Sequence, residues 1–244
     1  MSTYNLTYKP YGNHAILIEW PSQIDNNILK NVIFFKNNIL KNNIKVIVDV
    51  INTYSSLTIV YNNTIRNIYN EVLTLKSIYK DTSSQFELRN YYWKIPICYN
   101  LKYGLDLEEI SANKGMDIDS IIDLHSGTIY TVYFIGFLPG FLYLGGLDKR
   151  LNFVRKSTPR LLVEKGSVGI GGSQTGVYPQ SSAGGWNIIG RSPISFFDPN
   201  KKEPCFAKSG DKVKFVSVDL DEYQQIETQM KIGYYQLEKE MLND

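Results

Sequence analysis

The chain has 244 residues, of which 43% are hydrophobic and 20% charged, enough for two small domains or one large domain with a real core. Its 26 Lys and Arg against 24 Asp and Glu give a net charge of +2, with both signs mixed, which argues against a nucleic-acid-binding protein. Cys98 and Cys205 lack C-x-x-C spacing, so neither a disulfide framework nor a metal site is indicated.

The N-terminal residues show no basic segment followed by a long apolar run. No window reaches the about 18 consecutive apolar residues of a membrane span. Two widely separated thiols also fit a reducing compartment. We therefore expect a cytoplasmic protein without a membrane partner.

The first 90 residues are predicted to form an α+β domain with the order β-α-β-β-α-β. Asp25 is predicted to cap the first helix, and apolar residues from Ile65 to Tyr79 recur at the spacing of a second helix. The predicted strands cover residues 14–20, 45–51, 57–61 and 85–97, the last interrupted at Pro96. This order is that of a ferredoxin-like split βαβ domain, for which we expect a scaffold or docking role.

Two short helices are predicted between residues 105 and 125. Asp106 and Glu109 have the spacing of a capping box, Gly115 ends the first helix, and Asp117 opens a second that ends near His125. A helix-turn-helix is disfavoured because the second helix is acidic and would repel phosphates.

Residues 91–219 are predicted to form a closed antiparallel β-barrel, because short strands alternate with glycine turns. The residues after Asp219 are predicted to form a C-terminal helix over 220–244, with Gly233 weakening its middle. The predicted barrel strands are TVYFIGF, RLLVEK, SVGIGG, TGVYP, WNIIGR, PISFF and KVKFVSV.

Twelve of the 18 glycines lie between Gly136 and Gly190. Such density indicates either a surface of exposed main-chain groups or a tightly curved barrel with many bulges, and the pattern leaves both open. The run GIGGSQTG satisfies neither nucleotide-loop pattern, and there is no G-x-S-x-G elbow. With only His14 and His125 as imidazole bases, a self-contained hydrolase is not expected.

Polar and aromatic residues are interleaved within the same segment. Arginines beside aromatic rings suit the recognition of carboxylate, phosphate or amide groups. Taken singly, these residues also suit surface salt bridges or core packing, and His125 also suits a helix-terminal cap. The group comprises Phe137, Phe141, Tyr143, Arg155, Arg160, Gln174, Tyr178, Trp186 and Arg191.

Four blocks follow one another in the second half of the chain: GFLPGFLYLGGL (136–147), RKSTPR (155–160), GSVGIGGSQTGVYP (166–179) and GGWNIIGR (184–191). In this order they resemble the KipI, or allophanate hydrolase subunit 1, family, whose most widespread members are the B subunits (PxpB) of prokaryotic 5-oxoprolinase. The resemblance extends to Tyr11-Gly12, Asp49–Ser56, Ile95–Tyr99 and Leu124–Gly127. Leu142, where proline is expected, and Ser173, where glycine is common, depart from the pattern.

The resemblance implies a cyclophilin-like barrel and a subunit of an ATP-dependent enzyme that cleaves 5-oxo-L-proline to L-glutamate. The implied partners are a KipA-like C subunit and a LamB/YcsF-like A subunit, and ATP would be bound by the complex. On residue chemistry, we expect catalytic roles for His125, Gln174 and Arg191. The expected substrate-binding residues are Phe137, Phe141, Arg155, Arg160, Tyr178 and Trp186.

Two other functions compatible with the resemblance are an inhibitor that binds a sensor histidine kinase and a subunit of an allophanate hydrolase or urea carboxylase-like enzyme. Peptidyl-prolyl isomerase activity would rest on fold analogy alone. The sequence does not separate an enzyme subunit from an inhibitor, because one glycine-rich face can bind a ligand or a partner protein.

Overall fold

A computed structural model describes residues 4–81 and 90–242 of the chain. The chain divides into two compact units, Met1–Leu88 and Arg89–Asp244. Each unit has a hydrophobic core of its own. Within the described residues, no helix is both long enough and apolar enough to cross a membrane.

The first unit contains the predicted split βαβ arrangement. Its elements are β1 (Thr7–Pro10), β2 (Ala15–Glu19), α1 (Asn26–Lys41), β3 (Ile47–Asn52), β4 (Ser56–Tyr61) and α2 (Ile68–Lys80). Over residues 4–81, the strands form one antiparallel sheet in the order β1-β2-β4-β3, so β4 lies between the parallel strands β2 and β3. The Asp25 carboxylate caps α1 by accepting from the main-chain nitrogens of Asn27 and Ile28.

The fourth strand of this sheet differs from the sequence expectation. The edge beside β2 is filled by β1, which was not predicted. Residues 85–89 of the predicted strand 85–97 lie outside the described residues, and the remainder belongs to β5 (Tyr91–Cys98) in the second unit. Ile95 and Ile97 of β5 are fully buried in the second core, and their burial favours that location over a sheet edge.

The second unit opens with β5 and two short helices that precede the remaining strands. Its further elements are α3 (Leu107–Lys114), α4 (Ile118–Gly127), β6 (Ile129–Ile135), β7 (Leu142–Gly145), β8 (Arg160–Val163), β9 (Ser167–Gly171), β10 (Gln174–Val177), β11 (Ser182–Gly184), β12 (Asn187–Arg191), β13 (Lys212–Val218), α5 (Leu220–Lys231) and β14 (Lys239–Met241). Gly115 ends α3 with a left-handed φ of 60°, and the Asp117 side chain caps α4, both as predicted.

Seven strands in residues 90–242 close the predicted barrel, in the order β5-β12-β9-β10-β7-β6-β13 and back to β5. The pairs are antiparallel except β5 with β13, which is parallel. One edge of β5 pairs with β14 at residues 91–93 and with β12 at Cys98. Pro96 lies between these two pairings, so its missing amide hydrogen removes no hydrogen bond on that edge.

Several predicted elements are wrong in detail. The run PISFF forms no strand, β7 and β11 were not predicted, and β8 pairs with β11 in a separate two-stranded ribbon. The predicted helix over 220–244 ends at Lys231, since Gly233 with φ of 73° breaks it, and β14 then adds to β5.

Candidate functional site

A cluster of aromatic side chains, here called the aromatic face, lies outside the barrel core. Phe141, Tyr178 and Trp186 form it together with Val163 and Ile188. The Phe141 ring meets the rings of Tyr178 and Trp186 edge-on, with centroid distances of 5.3 and 5.4 Å. These are favourable aromatic geometries and hold the three rings in fixed positions.

Glycines in β9, β10 and β11 make room for these rings. A Cβ at Gly171 would lie 2.6 Å from Nε1 of Trp186, and one at Gly184 would lie 2.3 Å from the Tyr178 hydroxyl. At Gly176, a Cβ would lie 2.7 Å from the main-chain oxygen of Leu142. Part of the glycine density is therefore explained by close packing of aromatic rings on strand backbone.

The loop between β6 and β7 projects Phe137 beside the aromatic face. Phe137 has a positive φ of 66°, which is uncommon for a bulky residue, and its side chain is 64% exposed. Its ring meets Phe141 edge-on at 5.6 Å. The turn is held by main-chain bonds from Leu138 N to Gly136 O and from Phe141 N to Leu138 O. A strained backbone that presents an exposed aromatic ring marks this loop as a candidate contact.

Arg155 and Gln174 supply polar groups at the same face. The Arg155 guanidinium lies 5.5 Å from the centre of the Trp186 ring, and one of its nitrogens is 3.4 Å from Oε1 of Gln174. Arg155 is exposed and Gln174 partly exposed. A guanidinium held over an indole keeps its charge oriented and can pair with a carboxylate or phosphate.

Three predicted substrate-binding residues are buried beneath this surface. Phe141, Tyr178 and Trp186 are 1%, 2% and 5% exposed. The Tyr178 hydroxyl accepts a hydrogen bond from the main chain of Trp186, and burial is the main cause of its raised pKa. These side chains support the face from beneath. Their burial does not suit the direct contact with substrate that was expected of them.

Asp106 forms a buried ionic centre next to this face. Its Oδ1 accepts from Arg160 at 2.6 Å and pairs with Lys156 at 2.9 Å, and its Oδ2 accepts from the main-chain nitrogen of Ile188 at 2.6 Å. Burial acts to raise the pKa of Asp106, but these hydrogen bonds outweigh it and lower the pKa. The predicted capping box with Glu109 is wrong, because the carboxylate makes no cap bond and Glu109 pairs with Lys156.

The structure places His125 in the barrel core. Its ring is fully buried, stacks on Phe215 at 4.8 Å, and has Nδ1 2.7 Å from the Tyr99 hydroxyl and Nε2 2.8 Å from Oγ1 of Thr175. Thr175 donates its own hydrogen to Gly169 O, so it accepts from Nε2, and Nδ1 accepts from Tyr99. Burial lowers the pKa of His125 to about 3. A neutral, fully bonded ring does not suit the expected role in proton transfer.

Arg191 lies apart from the aromatic face. It ends β12, whereas Trp186 precedes this strand, so the two are separated by roughly 13 Å or more along the strand. The Arg191 guanidinium lies 4.7 Å from the centre of the Tyr103 ring and 3.1 Å from Glu164. The expected residues therefore divide into the aromatic face, the Asp106 centre with Arg160, the buried His125 and the distant Arg191.

Asp106, Lys156 and Tyr103 were not predicted as parts of a site. Asp106 had a local interpretation as a helix cap, and Lys156 was noted only within the block RKSTPR (155–160). The contact that distinguishes Asp106 joins it to Ile188, 82 residues away. Nothing in the local sequence around Asp106, at the start of a predicted helix, indicates a hydrogen bond to so distant a residue.

The comparisons with known proteins identify relatives over much of the chain. A family model described as "Carboxyltransferase domain, subdomain C and D" matches residues 6–207. The 5-oxoprolinase B subunit of Bacillus subtilis (strain 168) is 42% identical over 143 residues, covering 59% of this chain and 60% of that protein. Its counterpart in Escherichia coli O157:H7 is 45% identical over 136 residues, covering 56% of this chain and 62% of that protein.

The solved structures extend the likeness to the fold. An uncharacterized Pyrococcus horikoshii protein is 39% identical with a TM-score of 0.53, covering 89% of this chain and 100% of that chain. The K. lactis urea amidolyase has a TM-score of 0.81 over 98% of this chain and 16% of its own, but at 20% identity it shows the fold alone. The predicted resemblance is confirmed, and the match to residues 6–207 shows that this chain belongs to the family of carboxyltransferase-domain subdomains C and D.

Proposed function

We propose that this chain is a subunit of an ATP-dependent 5-oxoprolinase, which hydrolyses the lactam of 5-oxo-L-proline to L-glutamate. The observation that carries the proposal is the identity of 42 to 48% with three curated 5-oxoprolinase B subunits. The match covers 58 to 62% of the length of each relative. The activity and the partner subunits are therefore proposed for this chain.

The reaction needs activation of an unstrained amide, which is a poor electrophile. ATP would supply a phosphoryl group to the lactam oxygen, which makes the ring carbon more electrophilic. Water would then add to that carbon, the ring C–N bond would break as the nitrogen takes a proton, and a second water would hydrolyse the resulting acyl phosphate to glutamate and phosphate. The protein must therefore bind a small carboxylate, orient its lactam and stabilise negative charge.

Arg155 and Gln174 are suited to two of these tasks. The Arg155 guanidinium, held over Trp186, would pair with the carboxylate or with developing phosphoryl charge. Because Oε1 of Gln174 accepts from Arg155, its Nε2 is directed to donate, and a lactam oxygen is a fitting acceptor. Asp106 would act as a positioning residue, since it ties Arg160 and Lys156 to Ile188 beneath this surface.

The glycine run of β9 and β10 does not fit a phosphate cradle. The main-chain nitrogen of Gly172 donates to Phe153 O at 2.7 Å, and Gly171 packs on the Trp186 ring. A cradle needs main-chain amides that are free to meet a phosphate. We therefore propose that another subunit of the complex binds the nucleotide of ATP.

Exposed apolar residues beside the aromatic face favour a site completed by another subunit. Leu161 and Leu162 on β8 are 94% and 61% exposed, and Phe137 and Val154 are 64% and 79% exposed. Apolar residues gathered around a polar centre are typical of protein interfaces. The proposed partners are a KipA-like C subunit and a LamB/YcsF-like A subunit.

Reconstitution tests the proposal. The chain would be combined with its KipA-like and LamB/YcsF-like partners, and glutamate release from 5-oxoproline would be followed with and without ATP. We expect turnover only with all three proteins and ATP. Arg155→Ala should lower kcat/KM by about tenfold or more, since it removes a charge-assisted contact.

Arg150→Ala is the matched control, because the exposed Arg150 side chain pairs only locally, with Asp148. It should retain wild-type turnover. Phe137→Asn keeps a residue that tolerates positive φ but removes the ring, so we expect weaker assembly without loss of stability. If the full mixture is inactive and this chain alone blocks histidine kinase autophosphorylation, the inhibitor function replaces the enzyme function.

A further inference from the structure

An open cleft lies between strand β5 and the loop that precedes β13. It has a volume of about 910 Å³, which is within the range of small-molecule sites. The rings of Tyr91 and Trp93 on β5 and of Phe206 on the loop line it. Trp93 contacts the other two rings at centroid distances of 5.6 and 4.9 Å, which holds this apolar wall in place.

Four lysines surround these rings. Lys201, Lys202 and Lys208 belong to the loop and Lys239 to β14. All four residues are exposed, so a ligand in the cleft can reach their ammonium groups. Within residues 4–81 and 90–242, none of the four forms an ion pair. The cleft therefore offers several accessible cations to an anionic ligand.

Two of these ammonium groups are held near the same aromatic ring. Nζ of Lys239 lies 4.6 Å from the centre of the Tyr91 ring and 5.2 Å from that of Trp93, and Nζ of Lys208 lies 5.7 Å from the Tyr91 centre. The two nitrogens are therefore within about 10 Å of each other. The rings orient the two cations, which repel each other. An anion bound between them would offset this repulsion.

The two carboxylates of the cleft do not neutralise the lysines. Asp211 is fully buried and accepts from the main-chain nitrogen of Tyr91 and from Nε1 of Trp93, both at 2.9 Å, and from the main-chain nitrogen of Lys208 at 3.0 Å. It fixes the wall of the cleft instead of pairing with an ammonium group. Glu203 is exposed. Four lysines against these two carboxylates leave a net charge of +2, which fits a ligand with two negative charges.

The type of cation favours a phosphate over a carboxylate. A planar carboxylate is best matched by the fork of an arginine, and the described lining of the cleft contains no arginine. Lysine is a compact point charge with rotatable donors, which suits the tetrahedral oxygens of a phosphate. A phosphate monoester carries close to two negative charges at neutral pH. Its organic part would lie against the aromatic wall.

We propose that this cleft is a second ligand site, which binds a small organic phosphate through Lys208 and Lys239. The phosphate oxygens accept from these two ammonium groups, and Lys201 and Lys202 add electrostatic attraction. The organic part packs against Tyr91. Binding here does not rest on the proposed oxoprolinase function, because it uses no residue of the aromatic face and no other subunit.

Calorimetric titration of the full chain without partner subunits tests this site. The probes are phenyl phosphate, phenyl sulfate, benzoate and inorganic phosphate, at about pH 7.5, where phenyl phosphate is mostly a dianion. We expect saturable binding of phenyl phosphate that weakens with added salt. Phenyl sulfate has the same shape but one charge less, and should bind about tenfold more weakly or worse. Benzoate lacks the tetrahedral dianion and inorganic phosphate lacks the ring, so both should also bind more weakly. Absence of saturable phenyl phosphate binding, or equally tight binding of any other probe, would overturn the proposal.

Variants locate the binding. Lys208→Gln and Lys239→Gln each remove one charge from an exposed position, so both should fold and should weaken phenyl phosphate binding several-fold. The double variant should lose about tenfold or more. Lys102→Gln is the matched control, because Lys102 is an exposed lysine 5.4 Å from the centre of a tyrosine ring, that of Tyr103, outside this cleft. It should bind like wild type. Equal loss in the control, or wild-type binding by the double variant, would overturn the proposal.

Discussion

His125 illustrates how the surroundings of a single residue change its chemistry. Its ring is fully buried and bonded at both nitrogens, and its pKa is lowered from 6.5 to about 3 by burial. The unfolded chain therefore binds one more proton than the folded protein between these pH values. Stability from this group is complete above pH 6.5 and is lost as the pH falls through this window.

We expect the free energy of unfolding to fall by up to about 1.4 kcal/mol per pH unit below pH 6.5 because of His125. Urea unfolding at a series of pH values measures this slope. His125→Gln retains a donor and an acceptor but does not titrate, and should reduce the slope. His14→Gln, which alters the other histidine, should retain it. An unchanged slope in His125→Gln would contradict the assignment.

Asp106 is the residue on which the ionic centre depends. Replacing it by asparagine leaves Arg160 and Lys156 without their shared carboxylate, and Arg160 already has a buried Nη1 with no partner among the described residues. We expect Asp106→Asn to lower the free energy of unfolding by about 3 kcal/mol. Asp148→Asn, at an exposed local pair, should change stability much less in the same denaturation experiment.

At the scale of elements, the close approach of β9 to Trp186 depends on glycine. A Cβ at Gly171 would sit 2.6 Å from the indole nitrogen, so Gly171→Ala must displace the ring. We expect a loss of about 1 to 3 kcal/mol and a shift in tryptophan fluorescence. Gly127→Ala has open space around its Cβ at the end of α4 and should be neutral or slightly stabilising. Equal effects from both substitutions would exclude ring displacement as the cause.

The elements also differ in how far local sequence determined them. Asp25, Gly115 and Asp117 mark helix ends correctly, because caps act on main-chain groups within three or four residues. The long C-terminal helix was predicted from apolar spacing alone. The helix ends at Lys231, two residues before Gly233, whose positive φ breaks it. The strand β7 was missed because its four residues are too few for a periodic pattern.

At the scale of the whole molecule, we expect each of the two units to fold by itself. Each has a separate buried cluster, and β5 belongs wholly to the second. We expect residues 89–244 expressed alone to unfold cooperatively in thermal circular dichroism, since the barrel closes within this unit.

Residues 1–88 alone should be the less stable piece, because a chain of this size buries a smaller fraction of its surface. Comparing thermal unfolding of both pieces with that of the full chain measures the difference. Failure of residues 89–244 to unfold cooperatively would show that the barrel needs the first unit.

The sequence by itself determined the fold class, the order of most elements and the family, because periodicity, caps and ordered glycine blocks are local properties. The sequence also indicated that aromatic and polar residues of one segment form a site. Three of these residues, Arg155, Gln174 and Phe137, lie at the aromatic face.

Tertiary structure alone decided that β5 joins the barrel, that Asp106 bonds Ile188 rather than capping a helix, that His125 is a core residue and that Arg191 lies in a different cleft. These outcomes rest on contacts between residues far apart in the chain, such as His125 with Thr175, 50 positions away. Burial and hydrogen bonding at such separations depend on how strands pair across the barrel, which no local pattern encodes.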